Sequence, residues 1–237
     1  MKAIMANFRT HVTTSTVLGI GYSGLGIVGG IPADTALVAG GLCGVAGMLP
    51  DLDSPSGKPI REILTLGAAV VPLMLMDRFH AMNLPHDRMV LIGGAIYLFI
   101  RFGIAAMLKR WAVHRGIFHC IPGAILLAEL AFLFCGGDLT GRYIKAGAIL
   151  IGVFSHLILD EIYSVEMYYG VPRLKKSFGS AFKFWGDSVA GNISVYVKLI
   201  VATAAVLGEP MVMNQLGAPQ NHHIYETANK LINRWRQ

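Results

Sequence analysis

Seven apolar runs, at 12–30, 35–49, 63–76, 89–107, 117–134, 143–162 and 193–207, leave this chain few folds to choose from. A hydrocarbon core of roughly 30 Å is crossed by about 20 helical residues, and a helix or closed barrel is needed to satisfy the backbone without water. The runs predict an all-α, polytopic membrane bundle of about six to seven apolar helices. The second, third and seventh are short, so tilt, half-insertion or burial among the others is expected for them. With 54% of residues apolar, 14% charged and a mean hydropathy of +0.56, an ordinary soluble enzyme is excluded. Run 12–30 is glycine-rich and followed by further apolar segments, so it is expected to stay as a helix rather than be cleaved as a signal peptide.

If each run crosses once, the polar segments alternate sides. Segments 1–11, 50–62, 108–116 and 163–192 carry eleven Lys and Arg, whereas the other side and the C-terminal tail carry seven. That bias predicts a cytoplasmic start in a multi-pass protein of the inner (plasma) membrane. The net charge of +6 is then an orientation signal, so membrane lipid is the expected partner and nucleic acid is not. Residues 1–192 are expected to form a membrane-embedded domain in which 163–192, with its alternating basic and aromatic residues, makes an interfacial helix or lid, or else an ordinary solvated cytoplasmic loop. Residues 193–237 supply the last apolar helix and a polar tail. Gly26-x-x-x-Gly30 and Gly40-x-x-x-Gly44 predict close packing of the first two helices. Cys43, Cys120 and Cys135 stand singly in apolar surroundings and are expected to be small buried residues.

Chemistry concentrates in four stretches at run ends: RTHVTTS with His11, LPDLDSPSG with Asp51 and Asp53, VHRGIFHC with His114, Arg115 and His119, and FSHLILDEI with His156 and Asp160. With seven crossings all four fall on the starting side. His156 and Asp160 are i and i+4, so one helix face carries both. Extended backbone after Pro50 would send Asp51 and Asp53 to one side, and a turn at Gly116 would bring His114 and His119 together. A carboxylate near the bilayer needs a partner or a cation, costing roughly 2.5–3.5 kcal/mol at mid-helix otherwise. Four imidazoles and three carboxylates suit one or two divalent ions, Zn²⁺ first and Mn²⁺ second. Elsewhere, Arg101 and Glu129 are expected to pair within the bundle, and His80, His86, His222 and His223 are expected in exposed segments.

The ordered set of a histidine near the N-terminus, PDxD, HRGxxH and SHxxxD resembles the YdjM-like family of membrane-bound metal-dependent hydrolases, over about residues 5–165. The resemblance implies a helical inner-membrane protein, distantly similar to zinc-dependent phospholipase C. Carried over by position, it implies His11, Asp51, Asp53, His114, His119, His156 and Asp160 as metal ligands. Ser54 and Phe118 depart from the residues usual in the family, which bears on substrate recognition rather than on the ligands.

These readings combine into an expected function: hydrolysis of a phosphoester or lipid-like substrate at the cytoplasmic face by metal-activated water. Asp51 or Asp53 would serve as general base, and Arg115 would clamp a phosphate oxygen or brace a carboxylate. The alternative is a non-catalytic divalent-metal-binding or transport protein with the same ligands. Transport would call for polar residues continuing through the spans, and only Arg101 and Glu129 stand there.

Overall fold

The computed structural model describes residues 8–53, 57–104, 106, 119–168, 171–174, 182–185 and 188–217, with backbone alone at 52–53, 57–62, 166–168 and 171–174. The chain folds as a helical bundle. Helices α1 (Phe8–Val28) and α2 (Ala33–Ala46) form a hairpin, and a 3-10 turn at Leu49–Asp53 leads to α3 (Gly57–Met74). Then come the short α4 (Met76–Ala81) and α5 (His86–Leu98), which runs on into a π-helical stretch at Phe99–Ile104. Helices α6 (Ile121–Phe134), α7 (Leu139–Ile162), α8 (Val189–Leu207) and the short α9 (Pro210–Gln215) complete the bundle. Among the described residues each of the seven apolar runs is mainly helical. Among the described residues four helical segments are long and apolar enough to cross a membrane: Ala33–Asp51, Ile63–Ala81, Leu139–Ile162 and Val189–Leu207.

The bundle carries large apolar side chains on its outside, and the inner face of α1 is small and polar. In α1 the buried residues are His11, Ser15, Gly19 and Ser23, a stripe at i+4 spacing, whereas Leu25 and Val28 are 75% and 88% exposed. Leu73, Leu91 and Ile200 point outward as well. Apolar surface on this scale is not tolerated against water, but lipid chains solvate it without penalty. Lipid offers no hydrophobic drive for helix association, so the inner faces hold through close approach and hydrogen bonds.

Those contacts are specific. Ser15 Oγ donates to the Gly44 carbonyl at 2.9 Å and Ser23 Oγ to the Ala36 carbonyl at 2.8 Å, so α1 and α2 run antiparallel. A Cβ on Gly40 would overlap Ser23 Oγ and the Gly19 backbone, and one on Gly19 would overlap the Gly40 carbonyl. The close approach therefore uses Gly19 opposite Gly40. The expected Gly26-x-x-x-Gly30 face does not form as such, because α1 ends at Val28 and Gly30 turns the hairpin at φ +86. Helix α7 lies against this pair. Tyr22 Oη donates to the Ile144 carbonyl at 3.0 Å, and a Cβ on Gly152 would overlap the Cys43 carbonyl. Leu42, Ala46, Ala124, Ala131, Ile149, Val153 and Leu157 pack where α2, α6 and α7 meet. Cys43, Cys120 and Cys135 are buried free thiols, as their isolated positions suggest.

The last apolar helix starts at Val189, four residues before the apolar run 193–207, and is capped by Ser188 Oγ, which accepts from the Gly191 N–H. Within 163–192, Val165–Tyr168 (β1) and Val171–Leu174 (β2) pair as an antiparallel hairpin, with Val165 opposite Leu174, and residues 175–181 and 186–187 lie outside the described residues. Val165 and Val171 favour that extended state. Farther on, Phe184 and Trp185 are exposed beside the start of α8, and Tyr196 Oη donates to the Phe184 carbonyl at 2.7 Å. Finally, Arg101 and Glu129 do not pair. Arg101 belongs to the π-helical stretch that packs on α3 and α5 and lies over the Phe102 ring, whereas Glu129 faces α8 and accepts from Thr203 Oγ1 at 2.7 Å.

At the end of the bundle where α7 begins, Glu209 Oε1 accepts from Arg78 Nη1 at 2.7 Å and from Arg142 Nη1 at 3.0 Å. Burial alone would raise the Glu209 carboxyl, but the two guanidinium hydrogen bonds overcome it and hold the group below the usual carboxylate range. A carboxyl depressed in the folded state adds stability above its unfolded pKa and loses it as pH falls through the folded value. Glu209→Gln is expected to lower the melting temperature at pH 7 and to flatten its decline below about pH 4.5. Thermal unfolding across pH 3–7 reads this directly, and parallel wild-type and variant curves would refute it.

Candidate metal centre

At the other end of α7, His156 and Asp160 are one helical turn apart on its inner face, with Nε2 and Oδ2 3.4 Å apart. His156 is fully buried, and its Nδ1 lies 2.8 Å from the Gly47 carbonyl. A carbonyl only accepts, so the ring carries its proton on Nδ1 and turns Nε2 inward. Gly47 caps α2 and must be glycine for this contact, since a Cβ there would overlap the Ser15 side chain. An imidazole oriented by a carbonyl on one nitrogen, with the other nitrogen free to ligate, is the usual outer support of a metal-binding histidine.

The remaining groups arrive from three other elements. His11, in the first turns of α1, stacks on His156 with ring centroids 3.8 Å apart and places Nε2 3.3 Å from Asp160 Oδ1. The 3-10 turn after α2 brings Asp51 Oδ1 to 3.7 Å from His156 Nε2. His119 stands just before α6, where Cys120 caps the helix and Pro122 occupies its first turn. Its Nε2 is 3.7 Å from Asp160 Oδ2, and its ring lies edge-on to His156 at 5.5 Å. Five side chains separated by up to 149 positions in sequence thus converge on one point.

Two groups of potential ligand atoms result: His11, His156 and Asp160, and Asp51, His119 and His156, each with all ligand atoms within 4.8 Å of one another. Nitrogen and oxygen ligands about 2.0–2.2 Å from a tetrahedral ion lie roughly 3.3–3.5 Å apart, which the separations of 3.3–3.7 Å approach without rearrangement. His156 Nε2 is buried and, among the described residues, has no hydrogen-bond partner. The donor set therefore fits a divalent cation. Both groups draw on that same nitrogen, whose single lone pair binds one ion, so the described residues frame one ion with a surplus of carboxylate oxygens. Of the sequence candidates, Asp53 lies on the 3-10 turn with its side chain outside the described residues, and His114 and Arg115 also lie outside them. His80 and His86 are exposed and stand apart from the cluster, on α4 and at the start of α5; His222 and His223 lie outside the described residues.

Sequence reasoning missed the supports. The Gly47 carbonyl that orients His156 leaves no side-chain signal. Ser15 has one in retrospect, since His11, Ser15, Gly19 and Ser23 repeat every fourth residue in an apolar helix. Across the mouth of the site, the Ile121 N–H donates to the Lys183 carbonyl at 3.2 Å, so the segment bearing Phe184 and Trp185 lies at the same end of the bundle as the cluster.

The model of the YdjM inner membrane protein family matches residues 5–216, a stretch that contains all five converging side chains. No curated protein and no solved structure matches the chain.

Proposed function

The chain belongs to the YdjM inner membrane protein family, and from that premise we propose that it is a multi-pass, metal-dependent hydrolase. Its substrate is a phosphoester or lipid-like molecule, met at the cytoplasmic face of the membrane. The observation that carries this reading is the orientation of His156, whose buried Nε2 faces Asp51 and Asp160 while Gly47 holds Nδ1. His11, His156 and Asp160 would hold a divalent ion, Zn²⁺ by the imidazoles or Mn²⁺ by the carboxylates, with Asp51 and His119 as the further ligands. A second ion would draw on Asp53 and His114. Such an ion supplies Lewis acidity and brings the pKa of a bound water toward about 7.

The chain's own residues do the rest. Asp51 is partly exposed at the mouth, where a carboxylate can accept the proton of the attacking water. Asp160 lies 3.3 Å from His11 Nε2 and 3.4 Å from His156 Nε2, so its carboxylate and both rings face the same point. Arg115, by its place between the two histidines of HRGIFH, is assigned the phosphate oxygen that gains charge in the transition state. The exposed Phe184 and Trp185 suit the headgroup layer, which favours an amphiphilic substrate.

Metal-loaded protein in detergent should hydrolyse at least one member of a panel of phosphomonoesters, phosphodiesters and phospholipids. Asp51→Asn, with bound metal measured in parallel, should lose about 10²-fold or more of that rate. Inactivity across the panel with the metal fully bound would move the assignment to the non-catalytic metal-binding or transport reading.

A further inference from the structure

The opposite end of α7 holds a second polar cluster. Arg142 lies fourteen residues before His156, about 21 Å along the helix. Its guanidinium is 1% exposed and sits 4.1 Å above the Phe132 ring. Nε donates to the Phe132 carbonyl at 3.0 Å and Nη1 to Glu209 Oε1 at 3.0 Å, but Nη2 is buried without an acceptor. Arg78, from α4, donates through Nη1 to the same Glu209 oxygen at 2.7 Å, and its Nε and Nη2 are likewise buried without acceptors.

One carboxylate oxygen thus serves two guanidiniums, and among the described residues three buried nitrogens face no acceptor. A buried charged donor left unmatched costs more than a neutral one. Lys145 and the carboxylates of Asp77 and Asp138 complete the corner around the two guanidiniums. Its walls are fixed: a Cβ on Gly136 would overlap Asp77, and Val212 packs with Phe132 and Ala146 behind Glu209.

We propose that Arg78 and Arg142 form an oxyanion site that binds a phosphate group, separate from the metal centre and at the other end of the bundle. Paired guanidinium forks match the several acceptor oxygens of a phosphate as a lone carboxylate oxygen does not. The Arg78 and Glu209 side chains are 30% and 15% exposed, so the cluster meets the surface on their side, where a lipid headgroup phosphate or free phosphate would approach. Glu209 then acts as a built-in competitor that holds the two forks in place.

The test uses the full chain, delipidated in detergent and treated with chelator so that phosphate cannot bind through a metal. Inorganic phosphate is titrated against thermal unfolding, and phosphatidylglycerol against diacylglycerol of the same chains is compared by native mass spectrometry. Saturable, Arg78-dependent binding of either phosphate species supports the site: phosphatidylglycerol alone assigns a headgroup, and inorganic phosphate alone assigns the free ion. Arg78→Gln, which keeps the Arg142 to Glu209 pair, should weaken binding at least tenfold, and Glu209→Gln should tighten it by removing the competing charge. Binding of neither species, or equal binding by wild type and Arg78→Gln, overturns the site and leaves the donors to water. If Arg78→Gln does not fold, Glu209→Gln decides, and unchanged or weaker phosphate binding there is the refuting result.

Discussion

His156→Ala is expected to strip the protein of its metal while leaving the bundle helical. Both candidate ligand groups share His156 Nε2, so its loss removes one ligand from each and leaves Asp51 and Asp160 facing each other with His11 and His119 alone to offset them. Loss of a partner that merely orients a ligand costs about 10–100-fold in metal affinity, and loss of the ligand itself should exceed that. Wild-type protein should purify with close to one equivalent of transition metal or more, and the variant with less than about a tenth of that, as measured by inductively coupled plasma mass spectrometry. His80→Ala, on the exposed face of α4, should keep the full content. Full retention of metal by His156→Ala would remove the basis for the centre.

Gly40→Leu is the second large effect, this time on the fold. The ideal Cβ at Gly40 already overlaps Ser23 Oγ and the Gly19 backbone, and two of these obstacles are main-chain atoms that no rotamer change can move. The α1–α2 hairpin would have to splay, breaking the Ser23 to Ala36 and Ser15 to Gly44 hydrogen bonds and drawing His11 away from His156. Overpacking of this kind costs about 3 kcal/mol or more, enough to prevent accumulation of folded protein. Gly21→Ala, where a Cβ meets nothing within 4 Å, should leave the melting temperature unchanged or slightly raised by better helix propensity. The comparison is made by thermal unfolding in detergent, and a Gly40→Leu protein as stable as wild type would show that the hairpin is not packed this tightly.

Much of the centre was legible in the sequence because its chemistry is carried by side chains out of place in their surroundings. An aspartate and a histidine one turn apart in an apolar helix, and a PDxD at the end of another, stand out whatever the fold. The Arg78, Arg142 and Glu209 cluster was not legible, since each residue alone reads as an ordinary charge in a loop or at a run end. Glu209 is 67 positions from Arg142 and 131 from Arg78. The pairing of Arg101 with Glu129 failed for the opposite reason. Two lone charges in neighbouring runs invite a partnership, but it is the packed face of each helix that decides, and Glu129 turns to α8.

The sequence by itself determined the solvent and the class of fold. Seven apolar runs cannot be kept from lipid, and their helical state follows from the need to satisfy backbone hydrogen bonds there. It also singled out side chains that could hold a cation, five of which the fold brings together. Only the tertiary structure decided the helix faces and the geometry of the centre. Lipid gives no hydrophobic reward for choosing one face over another, so the choice rests on where backbones can approach closely. Gly40 meets Gly19 and not Gly26, Gly47 admits its carbonyl to His156, and the proton that this carbonyl holds on Nδ1 turns the other nitrogen toward Asp51 and Asp160.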